Sequence, residues 1–511
     1  MEESVKPALL AENNGPDGFA ARAAWLTGAN ILSFMLAFLT PLVIVRMLDQ
    51  EEFGIYKQLF QILATVLMAL NLQVGTSAYY FMPRVGTRQR QVAVNIILFY
   101  ALAGLAVAVI FALWPGWTLV VFHNQEIVHH IPKLGLAIML WLVAANLEAI
   151  PLSLGDIRAA SVFIVVGQML KSILILSAAL IFQSVEAILW ASIIEGLLQC
   201  VFMLGYVHRR LGSFWQPIDW SLFREQLANS LPFGSGNLVQ GVQGDLHNYF
   251  VAYHFSPGTY AIYANGCFQM PLPGLLQSSF AAVLFPEVAR LAAAGNHRAI
   301  VKIWLEAMRK LALLILPGCA LMFVLREELI ITLFTSTYAA SVPIFAVYLI
   351  NLALLTVMYG AIYRVYDEFR FFGVKLHLAL IPVSALALWL GISTLGLLGA
   401  VVATVSVQVL NVSICVLVAA RRIGLQRADL RELRPALRTL LATVMAGLLT
   451  WLVRLSLLPA HPILILVLCS LVFATIYLIL AFATGAVTKD EKVQVMDGLQ
   501  KLQRRFRFSA T

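Results

Sequence analysis

The sequence predicts an all-α polytopic membrane protein of about fourteen transmembrane helices, arranged as two parallel six-helix bundles around a central cavity with two further C-terminal helices. Three observations carry this reading. Only 12% of the 511 residues are charged and 61% are hydrophobic, with a mean hydropathy of +0.86. A soluble chain carries roughly 25% charged residues, so this composition cannot dress a water-facing surface. Apolar runs of roughly 18 to 25 residues recur from end to end, the length that crosses a ~30 Å hydrocarbon core. Basic residues gather in alternate connections between those runs, as the positive-inside rule describes. Soluble enzymes, nucleic-acid binders and secreted disulfide-rich domains are excluded.

Taken in order, the runs lie near 23–45, 59–82, 92–113, 133–154, 159–182, 186–207, 229–254, 259–285, 308–331, 341–362, 375–393, 396–418, 437–456 and 461–484. The seventh, eighth and tenth are rich in Gly, Pro and polar residues. With both termini placed in the cytoplasm, the inner segments hold 29 of the 35 Lys and Arg residues. The outer segments hold only Arg46, Lys57, Lys133, Arg326 and Arg454, and Lys171 alone falls mid-span. The net charge of +9 therefore sets topology in a cytoplasmic (inner) membrane, with anionic lipid headgroups as its counterpart and no nucleic-acid partner. Glu2, Glu3, Glu12 and Asp17 leave no basic n-region, which argues against a cleavable signal peptide. The five cysteines are scattered singly and read as packing residues. The stretch Trp215 to Leu227 is amphipathic and reads as an interfacial segment. The resulting division is an N-terminal six-helix lobe at 1–210, an interfacial linker at 211–228, a C-terminal six-helix lobe at 229–420, and two helices with a basic cytoplasmic tail at 421–511.

A weak internal repeat supports the doubled bundle. Phe53-Gly-Ile-Tyr aligns with Tyr260-Ala-Ile-Tyr, and Phe81-Met-Pro-Arg-Val aligns with Leu284-Phe-Pro-Glu-Val. Six spans separate the copies, an even number, so the halves run in the same orientation. A cavity between such repeats is where many transporters bind substrate.

Polar groups within spans are costly, roughly 2.5–3.5 kcal/mol for a charge at a helix centre, so they should face a cavity or a partner. The seventh span is the densest case. Asn237, Gln240, Asp245, His247 and Asn248 fall there among Gly234, Gly241 and Gly244, with most of the set at helical spacing along one face. That face either lines a hydrated cavity or knits helices together. In the first half the comparable residues are Asn30, Asn71 and Gln73, Asn146 and Glu148, Gln168 and Lys171, and Glu195 and Gln199. Lys171 has two open roles, neutralising a phosphate in the cavity or pairing with Glu195 or Glu148. Glu148, Glu195 and Asp245 are ion-coupling candidates, since desolvation raises a carboxylate towards the working range. Each can equally serve as partner to a cation. His129-His130 lacks a second ligand pair, so no metal site is expected, and without a GxxxxGK[ST] loop no ATP-driven chemistry or cofactor is expected either.

Arg46-Met-Leu-Asp-Gln-Glu-Glu-Phe-Gly-Ile-Tyr resembles the signature that closes the first span of oligosaccharide flippases in the multidrug/oligosaccharidyl-lipid/polysaccharide exporter superfamily. Ser256-Pro-Gly-Thr-Tyr-Ala-Ile-Tyr-Ala with Leu284-Phe-Pro-Glu-Val-Ala-Arg is similar to its second-half counterpart, and Leu333-Phe-Thr-Ser-Thr-Tyr-Ala-Ala-Ser to its segment before the tenth span. The departures are Asp49-Gln50 where Gly-Pro is usual and Thr335 where Gly is usual. The resemblance implies a membrane transporter and not an enzyme. Its implied substrate is a polyprenyl-diphosphate-linked oligosaccharide, translocated by alternating access for surface polysaccharide such as O-antigen or exopolysaccharide. Basic cavity residues would escort the diphosphate, with Arg46 a candidate near the outer mouth or an interfacial arginine snorkelling to headgroups. A polysaccharide polymerase or transferase is left open as a partner. Two other functions remain: a cation-coupled multidrug exporter of the same superfamily, and a membrane polysaccharide polymerase, for which the connection at 114–132 offers little room.

Overall fold

The computed structural model describes residues 19–145, 148–212, 218–457 and 460–487; helices joined by turns and short coil segments make up this part, with no strand among the described residues. In hydrocarbon no water can satisfy backbone N–H and C=O groups, so helices, which satisfy their own, are the available spanning form. Twelve helices among the described residues are long and apolar enough to cross a membrane. One of them, Asp367–Ile423, is 57 residues long, about twice the length a bilayer needs. It breaks at Gly396, whose φ of +59° and ψ of −133° only glycine adopts without strain. The break yields two spanning lengths. Trp220–His254, with 35 residues, is long enough to span but too polar to be counted by hydropathy.

The chain divides into two compact units, Met1–Asp245 with Ala252–Ala261, and Leu246–Val251 with Ile262–Thr511. The first unit contains α1 (Phe19–Met47), α2 (Gln50–Asn71), α3 (Gln89–Leu113), α4 (Gln125–Ala144), α5 (Ile157–Phe182), α6 (Val185–Leu211) and most of α7 (Trp220–His254). Helix α4 is central, packing against α2, α3 and α6, while α5 packs against α1 and α6. It starts earlier than the apolar run because Asn124 caps it, accepting from Glu126 N at 2.9 Å, so its first turns are polar helix and not loop. Residues 220–227 of the amphipathic stretch form the opening turns of α7, and residues 215–217 lie outside the described residues. Asp219 caps α7, and the Leu222 N–H, with Ser221 and Arg88 beside it, holds its carboxyl below the usual carboxylate range.

Asp49 caps α2 by accepting from Glu52 N at 2.8 Å. The neighbouring Gln50 donates to Gly258 O at 3.1 Å, and Glu51 accepts from Gly258 N at 2.9 Å. The departure from Gly-Pro at 49–50 therefore supplies a helix cap and an amide contact. Gly54 lies directly against the Pro257 backbone, where a Cβ would overlap the carbonyl.

The second unit contains α8 (Pro271–Ala293), α9 (His297–Val324), α10 (Val342–Leu354), α11 (372–395), α12 (397–423), α13 (Arg434–Leu457) and α14 (Pro462–Ala483). The predicted eighth span is interrupted: a short helix Pro257–Gly266 ends before α8, and Met270 is extended (φ −70°, ψ 129°), as the residue before a proline prefers. Helix α9 packs against α8 and α13, and α13 pairs with α14. Arg454 of α13 ties that helix to the short helix Arg326–Phe334, reaching Glu328 at 2.6 Å and Glu327 at 2.9 Å. Val324, Leu325, Ile465 and Cys469 form a small core beside it.

Thr335 adopts φ +76° and ψ 166°, a region in which a β-branched side chain is strained. Replacing it with the glycine that the motif usually carries should relieve that strain. Thr335→Gly is expected to raise stability by about 1 kcal/mol, read as a higher midpoint in thermal unfolding of the purified protein.

Candidate functional site

Within the first unit α2, α3, α4, α5 and α6 surround a cavity of about 360 Å³. Its polar lining comprises Asn71, Tyr100, Trp141, Gln168, Lys171, Glu195 and Gln199. The spacing explains the convergence. Gln168 and Lys171 on α5 are three apart and Glu195 and Gln199 on α6 are four apart, so each pair shares a helix face.

Each side chain is placed by its neighbours. Helix α2 ends with Leu72 at φ 42° and Gln73 at φ 58°, an unusual left-handed pair for residues other than glycine. The Tyr100 hydroxyl holds this turn, donating to Asn71 O at 2.7 Å and accepting from Gly75 N at 2.8 Å. Asn71 thereby stands at the cavity wall. On α5, Gln168 donates to Ser172 Oγ at 3.3 Å, and Ser172 accepts from Thr40 of α1 at 3.0 Å. Glu195 is only 2% exposed and accepts a hydrogen bond from Gln199. Gly167 leaves room for that amide, which would lie 3.1 Å from a Cβ there.

Lys171 and Trp141 form the centre. Lys171 Nζ lies 3.9 Å from the centroid of the Trp141 ring, a cation–π contact worth roughly 0.5–2 kcal/mol. The indole N–H donates to Ser192 O at 3.0 Å, and Gly196 gives the ring its place: a Cβ there would lie 2.7 Å from Trp141 Cδ1. Lys171 feels the Glu195 carboxylate electrostatically, yet among the described residues it makes no salt bridge and donates no hydrogen bond. The pairing expected with Glu195 is thus a through-space interaction, and the ammonium keeps its donors for the cavity. Glu148 takes no part in the cavity lining; it lies exposed just before the short helix Ala149–Ser153, with its charge felt at Tyr79.

The structure therefore brings together Lys171, Glu195 and Asn71 from the sequence-predicted residues, with Gln168 and Gln199 beside them. It places the others elsewhere. Arg46 is exposed at the end of α1 and donates to Leu42 O. Gln73 accepts from Thr76 Oγ1 within the turn, at 3.1 Å. On α7, Gly234 and Gly241 pack against Leu72 and Met68 of α2, so part of that polar face joins helices. Asp245 is half-buried and hydrogen-bonded to Gln61 of α2, whereas Asn237 and Gln240 are exposed. His247 is buried in the second unit, 3.0 Å from the Tyr263 hydroxyl. Asn248 is half-buried. Asn146 lies outside the described residues. No group of His, Cys, Asp or Glu suited to a metal ion occurs among the described residues. Trp141 and Tyr100 were missed by sequence reasoning. The available signal was a tryptophan at mid-span, since Trp favours the interface.

This arrangement of helices defines a polytopic transporter fold. It is shared with the inward closed conformation of the lipid II flippase MurJ (TM-score 0.66, 14% identity, covering 90% of this chain and 98% of that one). It is shared as well with an inward-facing multidrug resistance MATE family transporter of the MOP superfamily (0.60, 16%, 76% and 94%). A MOP superfamily transporter from Pyrococcus furiosus also has it (0.53, 15%, 79% and 96%). These proteins are a flippase and two transporters. No curated protein sequence matches the chain. Residues 43–343, more than half of the chain, match the family described as polysaccharide biosynthesis protein, and the chain belongs to that family.

Two glycines of α6 separate the packing role from mere helix propensity. Gly196→Ala should push Trp141 off its seat and cost about 1–3 kcal/mol. Gly205→Ala, where nothing lies within 4 Å, should instead stabilise by about 0.5–1 kcal/mol. Thermal unfolding of the two variants reads the opposite signs.

Proposed function

We propose that this chain translocates a polyprenyl-diphosphate-linked oligosaccharide across the cytoplasmic membrane by alternating access, in the biosynthesis of a surface polysaccharide. The observation that carries the reading is the Lys171 ammonium, which lines a cavity in the first unit and has no hydrogen-bonded acceptor among the described residues. Membership of a polysaccharide biosynthesis family supports the substrate class. A diphosphate entering from water loses its hydration and needs a cation in exchange; a compact ammonium in a low-dielectric wall offers that at close range. The amides of Asn71, Gln168 and Gln199 suit sugar hydroxyls, and the polyprenyl tail stays in lipid. Glu195 is the coupling carboxylate in this reading, because its charge and that of Lys171 act on one another. Asp245 and Glu148, away from this cavity, are secondary coupling candidates. The residues of α7, Asn237, Gln240, His247 and Asn248, together with Arg46 and Gln73, would meet the substrate outside this cavity. Both termini face the cytoplasm, following the basic residues.

Export of organic cations is the second reading, favoured by Glu195 and the Trp141 face. Lys171 opposes it, since it covers that face with a like charge.

Lys171→Ala should reduce export by at least about tenfold, the worth of a charge-assisted hydrogen bond, at normal membrane levels. Lipid-linked sugar in the variant should stay on the cytoplasmic leaflet, inaccessible to an externally added, membrane-impermeant glycosidase. Full export by the variant would refute the assignment of Lys171. An unchanged leaflet distribution in a strain lacking the protein would refute the flippase reading itself.

A further inference from the structure

Lys171 and Trp141 occupy one another. With Nζ 3.9 Å from the ring centroid, the ammonium covers the indole face. The ring is the fixed partner, held by Ser192 O at 3.0 Å and seated against Gly196. Lys171 is the movable one, a flexible four-carbon stem whose head has no hydrogen-bonded acceptor among the described residues. A phosphate outcompetes an indole for an ammonium, because full negative charge and strong acceptor oxygens replace a ring quadrupole. Once the ammonium turns to a phosphate, a flat apolar face opens in the cavity, with the amides of Gln168 and Gln199 among its walls.

An aromatic face bordered by side-chain amides is the surface that suits a pyranose ring: the ring's C–H face lies on the indole, and its hydroxyls meet the amides. The cavity, about 360 Å³, stands at the small end of ligand sites, which limits it to one ring beside the phosphate. We propose that Trp141 is the specificity-determining residue for the sugar joined directly to the phosphate, with Lys171 as its lid. The site then reads a sugar–phosphate junction and passes over sugars that carry no phosphate. This rests on the flippase reading and narrows it to the head of the substrate.

The test is ligand binding to the full chain in lipid nanodiscs. The probes are farnesyl diphosphate, the same molecule carrying a single hexose or N-acetylhexosamine from a panel, and the free sugars. Wild type should bind farnesyl diphosphate and should prefer at least one sugar-bearing probe by about tenfold, the scale of an aromatic-face contact. Trp141→Ala should abolish the preference while binding bare farnesyl diphosphate at least as tightly as wild type, because the ammonium no longer has to leave the ring. Trp141→Phe, which keeps an aromatic face, should retain part of it. The preferred free sugar should bind Lys171→Ala more tightly than wild type, because the lid is gone. Equal loss for both diphosphate probes in Trp141→Phe would mark a structural role and overturn the proposal, as would an undiminished preference in Trp141→Ala. Equal binding of free sugar to Lys171→Ala and wild type would overturn the lid. Failure of wild type to bind farnesyl diphosphate at all would instead overturn the flippase reading on which it rests.

Discussion

Lys171 brings a charge into a span that hydrocarbon cannot solvate, and the interior of the first unit is organised around that constraint. An ammonium at such a depth needs compensation on every side. Here the compensation is distributed: the Trp141 face at 3.9 Å, the field of Glu195, and a cavity large enough for water or an anion. None of these is a tight ion pair, which would neutralise the charge and make it useless to a ligand. A half-compensated cation is tolerable at rest and available for exchange, the condition for binding something anionic and then releasing it.

That arrangement relies on close packing elsewhere. Trp141 can present its face because Gly196 lets α4 and α6 approach, and Gln199 can reach Glu195 because Gly167 leaves space. Without a hydrophobic driving force between helices in lipid, such small residues are what allow backbones to approach. The same device joins α7 to α2 through Gly234 and Gly241. Glycine in these helices thus trades helix propensity for contact, and the positions of the polar side chains follow from where those contacts fall.

Much was legible in the sequence. The apolar runs gave most helices within a few residues, since the length of a bilayer crossing is a property of composition alone. Two kinds of boundary were not legible. Helix α4 begins at Gln125, ahead of its apolar run, because Asn124 caps a polar first turn. The eighth span splits at Met270–Pro271, a backbone constraint that a hydropathy window averages away. Thr335 shows a third limit: the motif marked it as unusual, but only the backbone shows that its φ is +76°.

The site divides along the same line. Composition and charge placement by themselves determined a membrane protein, the alternation of basic residues among its connections, and the singular status of Lys171, because the cost of a polar group in hydrocarbon depends on its type and depth. The tertiary structure alone decided which of the many intramembrane polar residues share a cavity. Asn71 joins Lys171, while Gln73, two residues later, is turned into its own loop by the left-handed pair held at Tyr100. Asp245 is claimed by Gln61 and His247 by Tyr263. A polar residue within a span announces that it needs a partner, but the partner's identity depends on how the helices rotate and approach, and that is set by contacts between residues far apart in the chain.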